Sequence, residues 1–474
     1  MAQMIPLEDY VARVLEAIVP LASTRVALGE AHGRILAEDV SAVVPVPPWT
    51  NSAMDGYAVR AAETSGASAQ APVVLPVAGD VPAGAAPIPL APGSAQRIMT
   101  GAMLPEGADA VVKVEDTDQA PGPHPLPERV EIRAAAREGL NVRRAGENVR
   151  AGDSVMAAGT RLSAAAVSAL ASVGLGLVPV AARARVAVVS TGAELRDAGE
   201  SLAPGAIPDS NGLLLAGLVS EHGADCVSVA RSGDSAEELA TVLRRAAAGA
   251  DLIVTSGGVS AGAFDPLTML AYADQHEGAP VHLDFVKVAM QPGKPQGHGW
   301  MRADDGRRVP IICLPGNPVS VLVSFTTIVA PALARLADVD SCLPDLPGRP
   351  TLTARAAAAW LTPPGRRQHV PVRFTEPPTE LVAGSVAGSV AGADAGDRIG
   401  APSGPDAAPG TGASWVTPTH RLGSGSHLVA SLPAAQALAV VAAEVESVEV
   451  GDELPLIPLT GSCPSGRPVR VDAP

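Results

Sequence analysis

Three stretches of the 474-residue chain end an apolar run in a glycine-rich turn. VAVVSTGAEL places Ser190, Thr191, Gly192 and Glu194 after such a run; DLIVTSGGVSAGAFDP places Ser256, Gly257, Gly258, Ser260, Gly262 and Asp265; IICLPGNPVSVLV places Pro315, Gly316, Asn317 and Pro318. Glycine lets backbone N–H groups approach a ligand closely, and the start of a following helix favours an anion. Three such turns within one segment point to a phosphate-type or oxyanion ligand. Two of the chain's three lysines, Lys287 and Lys294, fall in the single stretch KVAMQPGK. They suit the same anion better than the alternative, a solvated edge strand with incidental charges.

The acids complicate an anion site. Glu194, Asp265 and Asp234 would crowd it unless a cation bridges them, and Mg²⁺ takes one or two protein carboxylates together with substrate phosphates and water. The combination suggests Mg²⁺-assisted chemistry at a phosphate ester. No His/Cys constellation for zinc or nucleophilic catalysis competes with it. Local roles remain open for several of these residues. Asp265 suits an Asx turn, Asp234 precedes a capping-box pattern at Ser235–Glu238, and Asp209-Ser210-Asn211 suits a helix N-cap. Taken alone, Asp234 and Asp209 read as caps.

Further upstream lie NSAMDGYAVR (51–60), RIMTGAMLPEGADAVVKVEDT (97–117) and NVRRAGENVRAGD (141–153). Asp55-Gly56 is a turn signal, and Thr100-Gly101 and Arg143-Arg144 suit a strand end and a solvated basic pair. Yet Asn51, Lys113, Asn141 and Asn148 all sit here, in a chain with only three Lys and five Asn. In a chain biased toward Ala, Gly, Pro and Arg, Lys and Asn survive where Arg or Asp cannot substitute. A compact ammonium and a planar guanidinium are not interchangeable at a tight anion site.

The elements that position these residues follow from hydrophobic period. Residues 7–40 carry helical periodicity. VVLPVAGDV, QRIMTGAML, DAVVKVED and RVEIRAAA read as strands of a β-rich domain at 41–144, inserted in a helical unit of 1–40 with 145–182. Residues 183–338 alternate RVAVVST, CVSVARS, DLIVTSG, LDFVKVAM and VPIICLP with helical stretches, which predicts a parallel sheet covered on both faces. Residues 339–460 read as a C-terminal β domain with a low-complexity loop at 382–412, followed by a tail at 461–474. The fold class is multidomain α/β plus β.

With 34 Lys+Arg against 49 Asp+Glu the formal charge is −15, and such a surface repels nucleic acid. The four cysteines are scattered without metal-ligand spacing. The uncharged run Leu162–Ala182 is rich in Ala, Ser and Gly and reads as a helix followed by a strand, not a membrane span. The N-terminus has no basic n-region, so a cytoplasmic location is expected.

Read together and in this order, SAMDGYAVR, RIMTGAMLPEGADAVVKVEDT, NVRRAGENV, VVSTGAEL, IPDSNG, TSGGVSAGAFD, VAMQPGKP, LPGNPVS and GSGSHLVASL resemble the molybdopterin molybdenumtransferase family, which includes bacterial MoeA proteins and the gephyrin E domain. The resemblance implies a four-domain homodimer whose α/β domain resembles molybdopterin adenylyltransferases. Its active site would be shared between the α/β domain of one subunit and the β domain of the other. The implied reaction inserts molybdenum from molybdate into adenylylated molybdopterin and releases AMP with Mg²⁺. The family's functional positions fall on Asp55, Thr100, Arg143, Glu194, Asp234, Asp265, Lys287, Lys294 and Ser426, with Glu194 and Asp265 implied for Mg²⁺. Molybdopterin adenylyltransferase and apo-molybdoenzymes are the implied partners.

Three positions depart from the family pattern. Asn148 stands where many members carry Asp, Gln291 where some carry a second Lys, and Ala263 replaces a polar or charged residue. Two other classes stay in view: a non-catalytic molybdopterin-binding scaffold or carrier, and a molybdopterin adenylyltransferase using ATP. Retention of Asp55, Glu194, Asp265 and Lys287 argues against the first, and the extra β domain with NVRRAGENV against the second.

Overall fold

The computed structural model describes residues 4–259, 265–273, 279–339, 348–378, 414–420 and 425–459. Ser260, Gly262, Ala263, Cys342, Cys463, the 382–412 loop and the 461–474 tail lie outside the described residues. The chain divides into two compact units, one of residues 24–180 and one of residues 1–23 with 181–474. Helix α1 (Leu7–Glu16) opens the second unit and buries Leu7, Tyr10 and Val14 on one stripe, the spacing expected of an amphipathic helix.

The helical periodicity of 7–40 holds only for its first third. VALGEAHGRILAEDV instead supplies strand β1 (Thr24–Ala27), one 3₁₀ turn (Leu28–Glu30) and the two-residue strand Val40–Ser41. Gly29 and Gly33 withdraw helix propensity here, and Gly33 takes φ +76°. Leu36 and Val40 are buried with Leu162, Leu170, Val178 and Val180 in a core that a free helix would not reach.

The rest of this unit is β-rich. Strands β2 (Gly56–Val59), β3 (Val73–Val81), β4 (Ala95–Ile98), β5 (Ala110–Lys113) and β6 (Arg129–Ile132) form one sheet in the order β5-β2-β4-β3-β6. Gly56 is required in it: a Cβ there would run into the Val112 carbonyl across the β2–β5 pair. Helix α2 (Ala164–Ser172), capped by Ser163 Oγ accepting from the Ala166 N–H, then leads into β7 (Leu177–Val180), which pairs antiparallel with β1.

In the second unit, β8 (Arg185–Thr191), β9 (Asp225–Ser232), β10 (Leu252–Ser256), β11 (Val281–Lys287), β12 (Pro295–Arg302) and β13 (Arg308–Leu314) form a sheet in the order β9-β8-β10-β13-β12-β11. Strands β9, β8, β10 and β13 are parallel, whereas β12 runs against them and pairs antiparallel with both β13 and β11. LDFVKVAM is thus one arm of a hairpin-like pair, because residues 288–294 are too few for the crossover a parallel partner needs. Its other arm, PQGHGWMR, is obscured in the sequence by Gly297 and Gly299. A Cβ on Gly299 would collide with the His282 carbonyl.

Alternate side chains of the parallel strands feed two cores. Val186, Val188, Leu252 and Val254 face α3 (Ser210–Glu221) and the helical stretch Pro318–Leu336, while Ala187, Val189 and Ile253 face α4 (Ala236–Gly249) and α5 (Pro266–Ala273). Pro318–Leu336 comprises α6 (Pro318–Ser324), a π-helical turn (Phe325–Val329) and α7 (Ala330–Leu336). By length and composition it is apolar enough to cross a membrane, but 94% of it is buried inside the protein. It is a core helix.

Strands β14 (Leu352–Ala356), β15 (Arg367–Thr375), β16 (Trp415–Pro418), β17 (Ala437–Val441) and β18 (Glu453–Pro458) pair in the ring β15-β16-β14-β18-β17-β15. The sheet closes into a small barrel. Its interior is filled by Ala354, Ala356, Val370, Val372, Ala439 and Leu456, side chains small enough for a narrow lumen.

On β15, His369 is fully buried, and burial pushes its pKa from the ordinary 6.5 down to about 4, with the Arg367 charge adding to the effect and Glu8 opposing it. The ring is neutral in the folded chain but charges near 6.5 when unfolded, so stability is full above pH 6.5 and falls as pH drops toward 4. Urea unfolding at pH 7 and pH 5 should show a loss of roughly 2 kcal/mol from this group. His369→Leu should flatten that part of the pH dependence.

Candidate functional site

The register of the sheet in the second unit sets the site. Ala230, Val189, Thr255, Cys313, Gly297 and Phe285 lie in one row across the six strands. All three glycine turns lie beyond that row, at the carboxyl edge of the parallel strands, where open α/β sheets bind ligands. Because β11 runs with the parallel strands and β12 runs against them, the end of β11 (Lys287) and the start of β12 (Pro295, preceded by Lys294) reach the same edge. Both lysines are exposed there.

The turns are packed against one another. Ser190, Thr191 and Ser256 are buried. Thr191 Oγ1 donates to the Ser256 carbonyl at 3.3 Å, and the Gly257 N–H donates to the Leu314 carbonyl at 3.1 Å. Gly257 and Gly258 have φ of +91° and +70°, and a Cβ on either would press on Thr191 at 2.8–2.9 Å. No other residue fits that approach. A Cβ on Gly316 would lie 3.4 Å from the Gly257 Cα, so the second and third turns touch. Asn211, at the start of α3, joins them: its Nδ2 donates to Ser256 Oγ at 2.8 Å and to the Gly316 carbonyl at 2.6 Å.

The carboxylates divide by role. Asp209 is the N-cap of α3, accepting from the Gly212 N–H at 2.9 Å. Asp234 is not a cap. The cap of α4 is Ser235, whose Oγ accepts from the Glu238 N–H at 3.1 Å, and the Glu238 carboxylate reaches back to the Gly233 N–H at 3.0 Å. This leaves Asp234 Oδ1 to accept from the Ala193 N–H at 3.1 Å, fixing the turn that carries Gly192 and Glu194. Gly192 has φ +144°, and the exposed Glu194 carboxylate folds over it so closely that a Cβ would collide with it. Asp265 is only 6% exposed and accepts from the Thr268 N–H at 3.2 Å, capping α5. It sits near Cys313, whose thiol is pushed up to about 12, mainly by burial with the Asp265 charge adding.

Among the described residues no three His, Cys, Asp or Glu side chains gather as a metal cage. Glu194 and Asp265 carry hard carboxylate oxygens of the kind that Mg²⁺ takes one or two at a time, together with phosphate and water.

Three hydrogen bonds extend this edge toward residues 366 and 426. Asn317 Nδ2 donates to Ser426 Oγ at 2.9 Å, and the Val319 N–H donates to the Ser426 carbonyl at 3.1 Å. Gln291 Oε1 accepts from Arg366 Nη1 at 2.6 Å. Arg366, which sequence reading passed over, thus places a guanidinium beside Gln291.

The 24–180 unit holds a second constellation. Asp55 Oδ1 accepts from both the Thr100 N–H (2.6 Å) and the Thr100 hydroxyl (2.8 Å). The Ser52 carbonyl accepts from the Gly101 N–H at 2.8 Å, and Asn51-Ser52 pairs antiparallel with Val142-Arg143, bringing the exposed Arg143 to the same end. Asp55 and Thr100 line a cleft of about 270 Å³ together with Tyr57, Arg97, Glu115 and His124. Arg97 is clamped by Asp80, with Nη2 to Oδ2 at 2.6 Å, and donates to the His124 carbonyl at 2.9 Å. Among the described residues the Tyr57 hydroxyl has no hydrogen-bond partner, and burial raises its pKa.

Residues 5–174 match the family profile described as MoeA N-terminal region (domain I and II), and residues 187–335 match a probable molybdopterin binding domain. The chain is 45% identical over 362 residues to "Molybdopterin molybdenumtransferase 2" of Mycobacterium tuberculosis, an alignment covering 76% of this chain and 85% of that one. It belongs to the molybdopterin molybdenumtransferase family. A Nostoc protein named molybdopterin molybdenumtransferase is 40% identical, with 65% of this chain and 68% of that protein covered. A crystal structure of the molybdopterin biosynthesis MoeA protein from Pyrococcus horikosii superposes with a TM-score of 0.73 at 29% identity, covering 96% of this chain and 99% of that one.

Within this molybdenumtransferase framework, Ser190, Thr191, Gly192, Ser256, Gly257, Gly258, Lys287, Lys294, Pro315, Gly316 and Asn317 share one sheet edge, and Ser426 is tied to it. Asp55, Thr100 and Arg143 share one end of the other unit. The tie made by Asn211 escaped the sequence reading, which saw only a helix start; the scarcity of Asn was its one signal. The different roles of the neighbours Asp234 and Ser235 are separable. Ser235→Ala should cost about 1 kcal/mol in denaturant unfolding through loss of the cap. Asp234→Ala should leave α4 intact and accelerate hydrogen exchange of the Ala193 amide.

Proposed function

We propose that this chain inserts molybdenum from molybdate into adenylylated molybdopterin, with Mg²⁺-dependent release of AMP. The observation that supports it most is the convergence of three glycine turns, buried strand-end hydroxyls and two lysines on one sheet edge, in a chain that belongs to the molybdenumtransferase family. In this reading the turns at 190–194, 256–258 and 315–317 hold phosphate oxygens through backbone N–H groups. Lys287 and Lys294 hold the molybdate oxyanion, with Arg366 adding positive charge beside Gln291. Asp234 and Asp265 act by fixing the loops that carry the ligand-facing groups. Glu194 and Asp265 would hold Mg²⁺, which when bound neutralises phosphate charge. Two Mo–S bonds form at the dithiolene, molybdate oxygens leave as water, and hydrolysis of the phosphate anhydride frees AMP. The reading needs no covalent nucleophile: the protein's contribution is position and field.

The reading includes a cytoplasmic homodimer in which the Asp55–Thr100 end of one subunit completes the sheet-edge site of the other. Molybdopterin adenylyltransferase would deliver the substrate, and apo-molybdoenzymes would take the product.

Purified protein with Mg²⁺ and adenylylated molybdopterin should release AMP only when molybdate is present. Asp265→Asn and Lys287→Ala should each lower that release at least tenfold without unfolding the chain. Mixing Asp55→Ala with Lys287→Ala protein should restore up to a quarter of the activity if subunits share sites. Tight binding without release would instead mark a carrier, and consumption of ATP with unadenylylated molybdopterin would mark an adenylyltransferase.

A further inference from the structure

Asn211 is not needed as a helix cap, because Asp209 already accepts from the Gly212 N–H. Its carboxamide instead spans the two glycine turns that touch each other. A carbonyl oxygen can only accept, so the bond to Gly316 fixes which end of the amide is nitrogen. Both of its N–H bonds are then used, one on Ser256 Oγ and one on the Gly316 carbonyl. Among the described residues Asn211 Oδ1 is left buried with no partner, as is Ser190 Oγ. Ser190 and Ser256 are paired neighbours on the face of the sheet that α3 covers. The first turns of the rigid α3 therefore act as an anchor from which one side chain holds two loops.

We propose that Asn211 is a positioning residue: it sets the gap between the 256–258 and 315–317 turns in which the phosphate-bearing part of the substrate is held. This rests on the molybdenumtransferase reading for its kinetic consequence, but not for its structural one. No other residue type repeats the tie at this length. Aspartate has no N–H to give and would set a carboxylate oxygen against the Gly316 carbonyl, and alanine reaches neither loop.

The test has two independent parts. In ligand-free protein, hydrogen exchange of the Gly257 amide, bonded to the Leu314 carbonyl, should quicken at least tenfold in Asn211→Ala. The Gly192 amide, bonded to Ser232 across a different pair of strands, should be unchanged. In AMP-release kinetics, Asn211→Ala should raise KM for adenylylated molybdopterin tenfold or more with kcat within threefold, and Asn211→Asp should be worse. Adding Ser256→Ala to Asn211→Ala should change KM less than twofold, since that arm of the tie is already gone. A simple loss of stability would lower the folded fraction and leave KM alone. Unchanged exchange at Gly257, or wild-type KM in both variants, overturns the proposal. Absence of AMP release from the wild type would sink the enzyme reading alone, with the exchange experiment still deciding the tie. If Asn211→Ala does not fold, Ser256→Ala removes one arm and should still raise KM and Gly257 exchange; no change in either would overturn the proposal.

Discussion

Strand register is the constraint on which the site in the second unit depends. In a sheet, side chains alternate faces, so a slip of one residue would turn Ser190 and Ser256 away from α3 and carry Val189 and Thr255 into their place. The slip is opposed by the two cores. Val186, Val188 and Val254 on one face and Ala187, Val189 and Ile253 on the other are all fully buried, and each would meet the wrong neighbours. Apolar packing in the middle of the sheet thereby places polar chemistry at its edge. The same register aligns β13 with β12 and β12 with β11, which is why Lys287 and Lys294 arrive beside turns from strands of opposite direction.

The acids at the sheet edge serve the backbone. The chain carries −15 overall, yet at this edge the acids near the turns are largely occupied with backbone N–H groups. Asp209, Asp234, Glu238 and Asp265 each accept from the main chain. A carboxylate so engaged holds a loop in place and has less capacity to repel an incoming anion. Cations are few, and Lys287 and Lys294 stand exposed at the end of one strand and just before the next.

Much of this was legible in the sequence. The βα alternation, the three glycine turns and the caps at Asp209 and Ser235 follow from local rules that tertiary contacts here reinforce. What escaped had physical causes. The segment 26–40 has a helical pattern, but its apolar residues are claimed by partners from 154–180, and two glycines weaken the local alternative. Strand β12 escaped because its glycines, which carry no hydrophobic signal, are what allow β11 to lie so close. Asp234 was read as a cap because it precedes the true one. Asn211 and Arg366 act on atoms far away in sequence, and a single chain carries no sign of such pairings.

Helix α1 has a consequence for how the chain comes to be folded. Its neighbours arrive late: Ile5 and Leu21, which flank it, bond to Lys287 and Leu336, and Glu8 meets Arg367. Between them the ribosome must make the whole 24–180 unit, which has cores of its own. At about 5–20 residues per second the apolar stripe of α1 waits roughly 15–60 s for its partners. During that interval α1 is a short amphipathic helix with nothing to pack on. Nascent chains that stop before the barrel should therefore present this stripe to chaperones, whereas chains released after it should not.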